Sequence, residues 1–437
     1  MTLMQIATTP MAATPGDQAE HVQAARASRP APALQRVVYV VSQFPCLSET
    51  FIVREINALV AQGVDVRILS LKPTSGDSLP GGSAALLDRV RHPQKWQRSL
   101  AGVVQAVRRN PGVVARVVSA IARDSWRRPT VVLKCLVALF RGLEHVPWLL
   151  RFDPQFIHAH WATYPTTVAW ALSGVVGRPF GFTCHAHDIF VERQLLARKI
   201  EEAALAVTIS HFNVQWLSDY TTPAAAGKLK VVHCGVDLDG VPWQPDGREP
   251  ASILAVGRLD PIKGFATLVE AAAVLQRREV DFNCRLIGAG PLGASLRHLA
   301  DRLGVSGRIH FAGAQPPDVV RDWMSTATLF ALPAQVSDDG NRDGIPVALM
   351  EAMASGCPVI STRVSGIPEL IDDQRHGLLV QSGDPVALAD AIERLLADPT
   401  LRRRLAVDAR LRIEQAFDAR KEASRLLAYM AEAAHGA

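Results

Sequence analysis

The segment RVVYVVSQFPCLSETFIVREINALVAQGVDVRILSL, residues 36–71, decides the fold class. It opens with a continuous apolar run over 36–42, which is typical of a buried parallel strand. A helical pattern follows, for which Ser48 is a candidate N-cap and Gly63 a candidate end. A second apolar run over 64–71 completes strand, helix and strand, so the segment predicts a βαβ unit.

The same alternation continues along the chain in two series. Strand-like runs begin near residues 155, 180, 205 and 229, helices are expected near 165–176 and 190–204, and a second series starts at 252. This pattern predicts an α/β protein with two doubly wound Rossmann-like domains and a cleft between them. The predicted parts are a flexible tail over 1–34, a first domain over 35–245 with a basic helical insert at 74–153, a second domain over 250–415, and a C-terminal helix over 416–437 that can return to the first domain.

Composition limits the class of protein. The chain has 437 residues, of which 48% are hydrophobic and 20% charged, as in globular proteins. The longest apolar run, VVLKCLVALF, is shorter than the roughly 20 residues of a membrane-spanning helix and contains Lys134. The first 34 residues lack the apolar core of a signal peptide, and the six cysteines form no Cys-x-x-Cys pair. We therefore expect reduced thiols and a cytoplasmic location.

The positive charge of the chain is concentrated in one segment. Residues 88–153 contain thirteen lysines and arginines against four acids, a net charge of +9, whereas the whole chain carries +5. Apolar clusters alternate with these cations at helical spacing, as in basic amphipathic helices that bind membranes. A solvated helical face is the equally weighted alternative. A nucleic-acid groove is disfavoured because no aromatic ladder accompanies the charge.

Two glycine turns in the second half suggest ligand-binding chemistry. The stretch AVGRLDPIKGF (255–265) places Arg258 and Lys263 in a turn between a strand and a helix. The planar fork of arginine, the point charge of lysine and a helix N-terminus all suit phosphate. Gly290 lies in a similar turn, GAGP (288–291). The alternative for Arg258 and Lys263 is a pair of solvated cations in a surface turn, and the alternative for Gly290 is a purely structural turn.

The stretch DGIPVALMEAMASGCPV (343–359) predicts a buried helix that begins at Pro346 and ends near Gly356. Glu351 falls on the apolar stripe of this helix. A carboxylate in that place is costly unless a partner binds it. The sequence therefore predicts a specific partner for Glu351.

These motifs resemble glycosyltransferase family 4, whose members have the GT-B fold. VGRLDPIKG, IGAGPL and DGIPVALMEAMASGCPVISTRVSGIPELI are similar to the nucleotide-sugar-binding domain of that family. SQFPCLSETFIVREI, HAHWA and FTCHAHDIF resemble the branch that builds exopolysaccharides, including colanic-acid enzymes. The resemblance covers nearly everything after residue 35. The long motif over 343–371 is specific, whereas the short glycine turns are not.

The resemblance implies roles for individual residues. Arg258 and Lys263 match residues that grip the donor diphosphate, and Glu351 matches an acid that binds the ribose hydroxyls. Asp343 stands where the family usually has Glu and faces the donor sugar, and His185 matches a histidine near the sugar and the β-phosphate. The candidate catalytic residues are His185 and Asp343; the candidate donor-binding residues are Arg258, Lys263, Glu351, Gly344, Ile345, Pro346 and Gly290; the candidate acceptor-side residues are Ser48, Glu49 and Thr50.

Two His-x-His pairs suggest a metal-site alternative. His158 with His160, and His185 with His187, lie at predicted strand ends, with Asp188 following the second pair. Neither pair has a recognised ligand spacing, so structural histidines are the favoured interpretation for His158 and His187. We expect no metal and no cofactor, and activity that survives chelation.

We therefore predict a retaining glycosyltransferase that moves a sugar from a nucleotide-diphosphate sugar to a growing exopolysaccharide or a lipid-linked glycan. The expected partners are the nucleotide sugar, a glycan or polyprenyl-linked acceptor and an anionic membrane surface, with no nucleic acid. The expected location is the inner face of the plasma membrane, as a peripheral protein. The alternatives are a nucleotide-sugar 2-epimerase of the same fold and a membrane- or polyanion-binding relative without catalysis, which the Asp343 replacement allows.

Overall fold

The protein was analysed as a computed structural model that describes residues 34–46, 49–74 and 81–436. Within these residues, two parallel β-sheets are each flanked by helices, which confirms the two doubly wound domains. The predicted tail over 1–34 lies outside the described residues except for Leu34, which is buried and therefore does not belong to a flexible tail. The predicted N-cap Ser48 also lies outside them.

The first sheet has seven described strands in the order β3-β2-β1-β4-β5-β6-β7. The central strands are apolar over nearly their whole length and buried on both faces, as parallel sheets covered by helices require. The strand order reverses between β1 and β4, and in such sheets ligands bind at this point, outside the carboxyl ends of the strands. The strands are Arg36–Gln43 (β1), Asp65–Lys72 (β2), Val90–Arg91 (β3), Phe156–His160 (β4), Phe180–Cys184 (β5), Leu205–Thr208 (β6) and Leu229–Val231 (β7).

The second sheet has six described strands in the order β10-β9-β8-β11-β12-β13, with its reversal between β8 and β11. In both sheets, the carboxyl ends of the strands at the reversal face a cleft between the two domains. The strands are Ser252–Val256 (β8), Asn283–Ile287 (β9), Ile309–Gly313 (β10), Leu329–Ala331 (β11), Val359–Thr362 (β12) and Leu378–Val380 (β13).

The helices of the first domain follow the predicted pattern with two corrections. The helix expected near 190–204 is two short helices, and the basic insert is not wholly helical because it also supplies β3 to the edge of the sheet. The helices are Thr50–Ala61 (α1), Trp96–Arg109 (α2), Pro111–Ser125 (α3), Pro129–Leu143 (α4), Val146–Phe152 (α5), Tyr164–Val176 (α6), His187–Phe190 (α7), Leu196–Glu202 (α8), His211–Ser218 (α9) and Pro223–Ala226 (α10).

The helices of the second domain include the predicted buried helix, which begins one residue later than expected because Pro346 takes the capping position before it. The helices are Phe265–Arg277 (α11), Gly293–Arg302 (α12), Pro317–Thr326 (α13), Val347–Ala354 (α14), Ile367–Leu370 (α15), Pro385–Ala397 (α16) and Pro399–Ala416 (α17). Among the described helices, none is both long enough and apolar enough to span a membrane.

The last helix, Ala419–His435 (α18), lies on the first domain. Its buried residues Ala423, Leu426 and Met430 belong to the same apolar cluster as the buried face of α1. One face of β1 also belongs to this cluster. Glu422 on this helix accepts a hydrogen bond from the backbone N–H of His233 at 2.7 Å. Helix α18 therefore returns to the first domain after the chain has formed the second one.

Candidate active site

A cleft of about 980 Å³ lies between the carboxyl ends of the two sheets. Its first-domain wall includes Thr50, Phe51, Trp161, His185 and His187. Its second-domain wall holds the predicted catalytic residue Asp343 and five predicted donor-binding residues, which are Arg258, Lys263, Gly344, Ile345 and Pro346. The structure therefore brings together most of the residues predicted from the sequence, and they face each other across the domain boundary.

Two cations of the second domain differ in their surroundings. Lys263 is mostly buried, and its Nζ contacts the two carboxylate oxygens of Asp343 at 2.9 and 2.8 Å. The side chain of Arg258 is 72% exposed, and its Nε lies 3.8 Å from Asp260. Lys263 is therefore paired and mostly buried in the cleft wall, whereas Arg258 is largely exposed to solvent there.

The turn before α14 brings the two domains into close contact. A Cβ atom at Gly344 would lie 2.5 Å from the end of the Ile209 side chain of the first domain, so any larger residue would have to displace that side chain. Glu369 of the second domain accepts hydrogen bonds from the backbone N–H groups of His211 and Phe212 at 2.8 and 2.7 Å, at the start of α9. These contacts hold the backbone of the 343–346 turn against the first domain.

Glu351 has a protein partner in this structure. Its Oε1 accepts a hydrogen bond from Nη2 of Arg54, which lies on α1 of the first domain. Both side chains are about one-fifth exposed, so the predicted burial of Glu351 is wrong: α14 turns this edge toward the other domain. The second terminal nitrogen of Arg54 is buried and has no hydrogen-bond partner among the described residues. The pair therefore joins the domains but leaves Arg54 incompletely satisfied.

Two other predicted residues do not reach the cleft. A Cβ at Gly290 would lie 2.5 Å from the backbone oxygen of Leu259, so this glycine allows two turns to pack closely and is not among the cleft-lining residues. Glu49 accepts a hydrogen bond from Nε1 of Trp161 at 3.0 Å. Burial raises the pKa of Glu49 even though His160 and Trp161 oppose the shift. Of the two predicted acceptor-side residues that the structure describes, Thr50 lines the cleft and Glu49 does not.

His185 forms the deepest part of the first-domain wall. Its ring is almost fully buried and lies between Phe51 and Trp161, with centroid distances of 4.7 and 4.6 Å. Burial, reinforced by the neighbouring His160, lowers the pKa of His185 well below its ordinary value, so the ring is neutral. Its Nε2 lies 3.2 Å from Nδ1 of His160.

Little in the sequence indicates the corner that carries Trp161. This residue has a φ of +74°, a left-handed conformation that is rare for a large side chain. The buried Asp188 accepts hydrogen bonds from the backbone N–H groups of Ala162 at 2.7 Å and of His185 at 3.0 Å. Asp188 therefore joins the corner after β4 to the corner after β5, and this backbone-binding role takes the place of the metal support considered for it.

A buried lysine holds the same corner from the opposite side. Nζ of Lys199 donates to the backbone oxygens of Ala162, Thr163 and Gln194 at 2.6, 2.8 and 2.8 Å. Burial lowers the pKa of Lys199 to about 8. Asp188 and Lys199 thus hold the backbone on either side of this corner, next to the left-handed Trp161. The sequence does not indicate this role for Lys199, because a lysine in a helix of mixed composition usually faces solvent.

The two His-x-His pairs do not form one metal site. His187 is half exposed and lies 4.0 Å from Glu192, on the outer side of the cleft. Among the described residues, the group whose ligand atoms could converge on one ion is Glu55, His158 and His160. Nε2 of His158 lies 2.8 Å from the Thr183 hydroxyl, whereas its buried Nδ1 has no hydrogen-bond partner among the described residues. Burial lowers the pKa of His158 well below its ordinary value.

Comparisons with known proteins agree with this architecture. A family model described as Glycosyltransferase Family 4 matches residues 48–240, and one described as Glycosyl transferases group 1 matches residues 250–398. The chain is 30% identical over 374 residues to the putative colanic acid biosynthesis glycosyltransferase WcaL of Escherichia coli (strain K12), with 82% of this chain and 89% of that protein covered. It is 28% identical over 382 residues to the amylovoran biosynthesis glycosyltransferase AmsK of Erwinia amylovora, with coverages of 82% and 90%.

A solved structure extends the comparison to the fold. The Anabaena Alr3699/HepE structure in complex with UDP matches with a TM-score of 0.65 at 16% identity, over 91% of this chain and 100% of that one. At this identity the likeness concerns the fold alone. Together with the family models and the 30% identity to WcaL, it leads to one conclusion: the chain belongs to glycosyltransferase family 4 and has the GT-B fold.

Proposed function

We propose that this glycosyltransferase retains the anomeric configuration of its donor and transfers a sugar from a nucleotide-diphosphate sugar to a growing exopolysaccharide or a lipid-linked glycan. The observation that carries the proposal is the cleft, in which Lys263 and the 343–346 turn face His185 and Trp161. The names of WcaL and AmsK support the acceptor class, and the UDP complex of the structural neighbour supports the donor class.

The second domain would bind the donor. Lys263 and the exposed Arg258 supply positive charge to the diphosphate, which becomes the leaving group. The Asp343 carboxylate that holds Lys263 would lie beside the donor sugar, next to the backbone of Gly344 and Ile345. These cations supply the charge that a metal gives in other transferases, so we propose that transfer needs no metal.

The first domain would bind the acceptor. Thr50 and Trp161 line the opposite wall, and Trp161 offers an aromatic surface of the kind that packs against sugar rings. An acceptor hydroxyl that attacks from the side of the leaving group can give its proton to the departing phosphate, which retains the anomeric configuration. Closure of the two domains keeps water from hydrolysing the donor.

A donor panel tests this function. Purified protein is incubated with UDP-, GDP-, ADP- and dTDP-linked sugars, with and without lipid extracts that contain glycan acceptors. We expect one donor to raise the melting temperature and to be consumed only with acceptor, giving a product whose anomeric proton coupling matches the donor. An inverted product would contradict the retaining mechanism. Interconversion of the donor sugar at C2 without acceptor would favour the epimerase alternative, and no response to any donor would favour a non-catalytic protein.

We further propose that helices α2 to α4 bind the anionic inner face of the plasma membrane. Their outer surfaces combine exposed cations with exposed large apolar side chains, of which Trp126 and Leu133 are 67% and 63% exposed. The exposed apolar residues are Leu100, Val104, Val107, Val118, Trp126, Leu133, Leu136 and Val137. The exposed cations that lie beside them include Arg98, Arg108, Arg116, Arg123 and Lys134. A membrane surface fits both, because it accepts apolar side chains and attracts positive charge.

Replacing Arg108, Arg116, Arg123 and Lys134 together by glutamine is expected to abolish co-sedimentation with anionic vesicles. Each cation near anionic lipid contributes about 1 kcal/mol, so the loss should reach at least about 100-fold in affinity. Arg109 is left in place because its Nε donates to the backbone oxygen of Val175 and anchors the end of α2.

The matched control replaces four exposed arginines of the second domain: Arg277, Arg302, Arg394 and Arg404. This variant removes the same charge and should bind anionic vesicles as the wild type does. Binding of the wild type should also weaken at 1 M salt, where the Debye length is about 3 Å. Equal partition onto neutral and anionic vesicles, or equal loss in both variants, would contradict a membrane-binding face.

A further inference from the structure

Behind the cleft, a chain of hydrogen bonds runs from the buried wall of the first domain to His185. The hydroxyl of Tyr39 on β1 lies 2.7 Å from Oε1 of Glu55 on α1. The same oxygen lies 3.0 Å from Nε2 of His160, at the end of β4. Nδ1 of His160 lies 3.2 Å from Nε2 of His185, which follows β5. Four side chains from four separate parts of the first domain thus form one continuous chain of hydrogen bonds that ends at the cleft.

The chemistry of Glu55 fixes the direction of these bonds. Burial by itself would raise the pKa of Glu55, but the hydrogen bonds from His160 and Tyr39 act in the opposite direction, and the pKa lies below its ordinary value. Burial and the neighbouring carboxylate keep the Tyr39 hydroxyl protonated, since they raise its pKa well above the usual range. An ionised carboxylate only accepts hydrogen bonds. Tyr39 and His160 therefore both donate to it.

The orientation of His185 follows from that of His160. We infer that His160 carries a single proton, on Nε2, so that its Nδ1 presents a lone pair. This lone pair accepts a hydrogen bond from the N–H group at Nε2 of His185. The other ring nitrogen of His185, Nδ1, lies 4.0 Å from the Cys234 sulfur. Both ring nitrogens of His185 therefore face protein groups, and the ring between Phe51 and Trp161 is held in one plane at the cleft floor.

We propose that Glu55 is a positioning residue for sugar transfer, which acts through His160 to hold His185 in a single tautomer and ring orientation. Glu55 does not itself line the cleft beside the donor turn. The Glu55 carboxylate takes the place of water as the hydrogen-bond acceptor for the fully buried His160. This contact fixes His185 at the reacting centre while the His185 ring stays neutral. The kinetic consequence rests on the proposed transfer function, whereas the tautomer of His185 does not.

The first test observes the tautomers directly. Long-range ¹H–¹⁵N spectra of histidine-labelled wild-type protein should show His160 and His185 neutral, each with its proton on Nε2. In Glu55→Leu, the Tyr39 hydroxyl and Nε2 of His160 both lose the oxygen that they share, and the hydroxyl can then donate to Nε2 of His160. The proton of His160 should then move to Nδ1, and the proton of His185 should move away from Nε2. Tyr39→Phe keeps the carboxylate and should leave both histidine tautomers as in the wild type.

The second test is kinetic and uses the conservative variant as a rescue. Glu55→Leu should reduce kcat by roughly 10- to 100-fold, the loss typical of a reacting geometry disturbed by about 1 Å, with the donor KM within about twofold. Glu55→Gln keeps an acceptor oxygen and should recover most of the wild-type kcat together with the wild-type tautomers.

Several outcomes would overturn the proposal. A doubly protonated His160 in the wild type, or a His185 with its proton on Nδ1, would reverse the direction of the chain. Unchanged histidine spectra in Glu55→Leu would show that Glu55 does not set the tautomer. If Glu55→Leu does not fold, Glu55→Gln tests the proposal instead. A Glu55→Gln variant that keeps the wild-type tautomers but has a kcat as low as that of a cleft-lining variant would refute the positioning role. If no transfer is found with any donor, the spectra alone still test the positioning role.

Discussion

Replacing Lys263 by alanine is expected to reduce sugar transfer by about 100- to 1000-fold, the loss typical of removing one preorganised group that stabilises developing charge. Lys263 is held in the cleft wall by the two oxygens of Asp343, so its ammonium group is already in place when the donor arrives. Affinity for a nucleoside diphosphate should fall far more than affinity for the nucleoside, because the lost contact is to phosphate. Arg258→Ala should show the same selectivity with a smaller loss, since this exposed side chain must become ordered on binding.

Two controls separate a phosphate contact from a structural ion pair. Arg277→Ala removes an exposed cation at the far end of α11 and should leave transfer unchanged. Asp343→Ala removes the protein partner of Lys263, and it should preserve or strengthen binding of the nucleoside diphosphate. If Asp343→Ala and Lys263→Ala weaken that binding equally, the pair is structural and the assignment is wrong. Chelation with EDTA in the same assay should leave wild-type transfer intact, and a full loss restored by one divalent ion would contradict metal-free catalysis.

Glu351→Gln and Arg54→Ala are expected to change donor affinity in opposite directions. If Glu351 binds the ribose hydroxyls, Arg54 competes with the donor for the same carboxylate. Glu351→Gln should raise the donor dissociation constant by about 10- to 100-fold, as expected for the loss of a hydrogen bond to a charged group. Arg54→Ala frees the carboxylate and should lower the constant by a few-fold, since a partly exposed ion pair contributes only about 1 kcal/mol or less.

Isothermal titration with the donor, together with melting temperatures, measures both effects. Glu351→Gln should melt within a few degrees of the wild type, because this side chain is partly exposed and its helix is otherwise buried. The variant Arg425→Ala, which breaks an ion pair on α18, serves as a matched control and should leave donor affinity unchanged. Weaker donor binding in both Arg54→Ala and Glu351→Gln would mean that the pair supports the site by joining the domains, and the ribose role would be refuted.

Local sequence was sufficient to predict the second-domain half of the site. Arg258, Lys263 and the 343–346 turn each lie next to an apolar strand or at the start of a helix, and residues at the carboxyl ends of parallel strands meet at one edge of the sheet. Their positions in the cleft follow from strand order alone. Gly290 obeys the same rule but packs against Leu259, because a glycine turn signals close approach without saying what approaches.

The sequence by itself determined the two α/β domains, their strands and the cleft between them, because apolar runs and turn residues act over a few neighbouring positions. Only the tertiary structure decided which charged groups meet. Glu351 pairs with Arg54 across 297 positions of the chain, and Glu55 reaches His160 across 105. A helical pattern identifies the face that a carboxylate occupies, but the group that binds it depends on how separate elements dock. The physical reason is that burial makes an unpaired charge costly without selecting its partner.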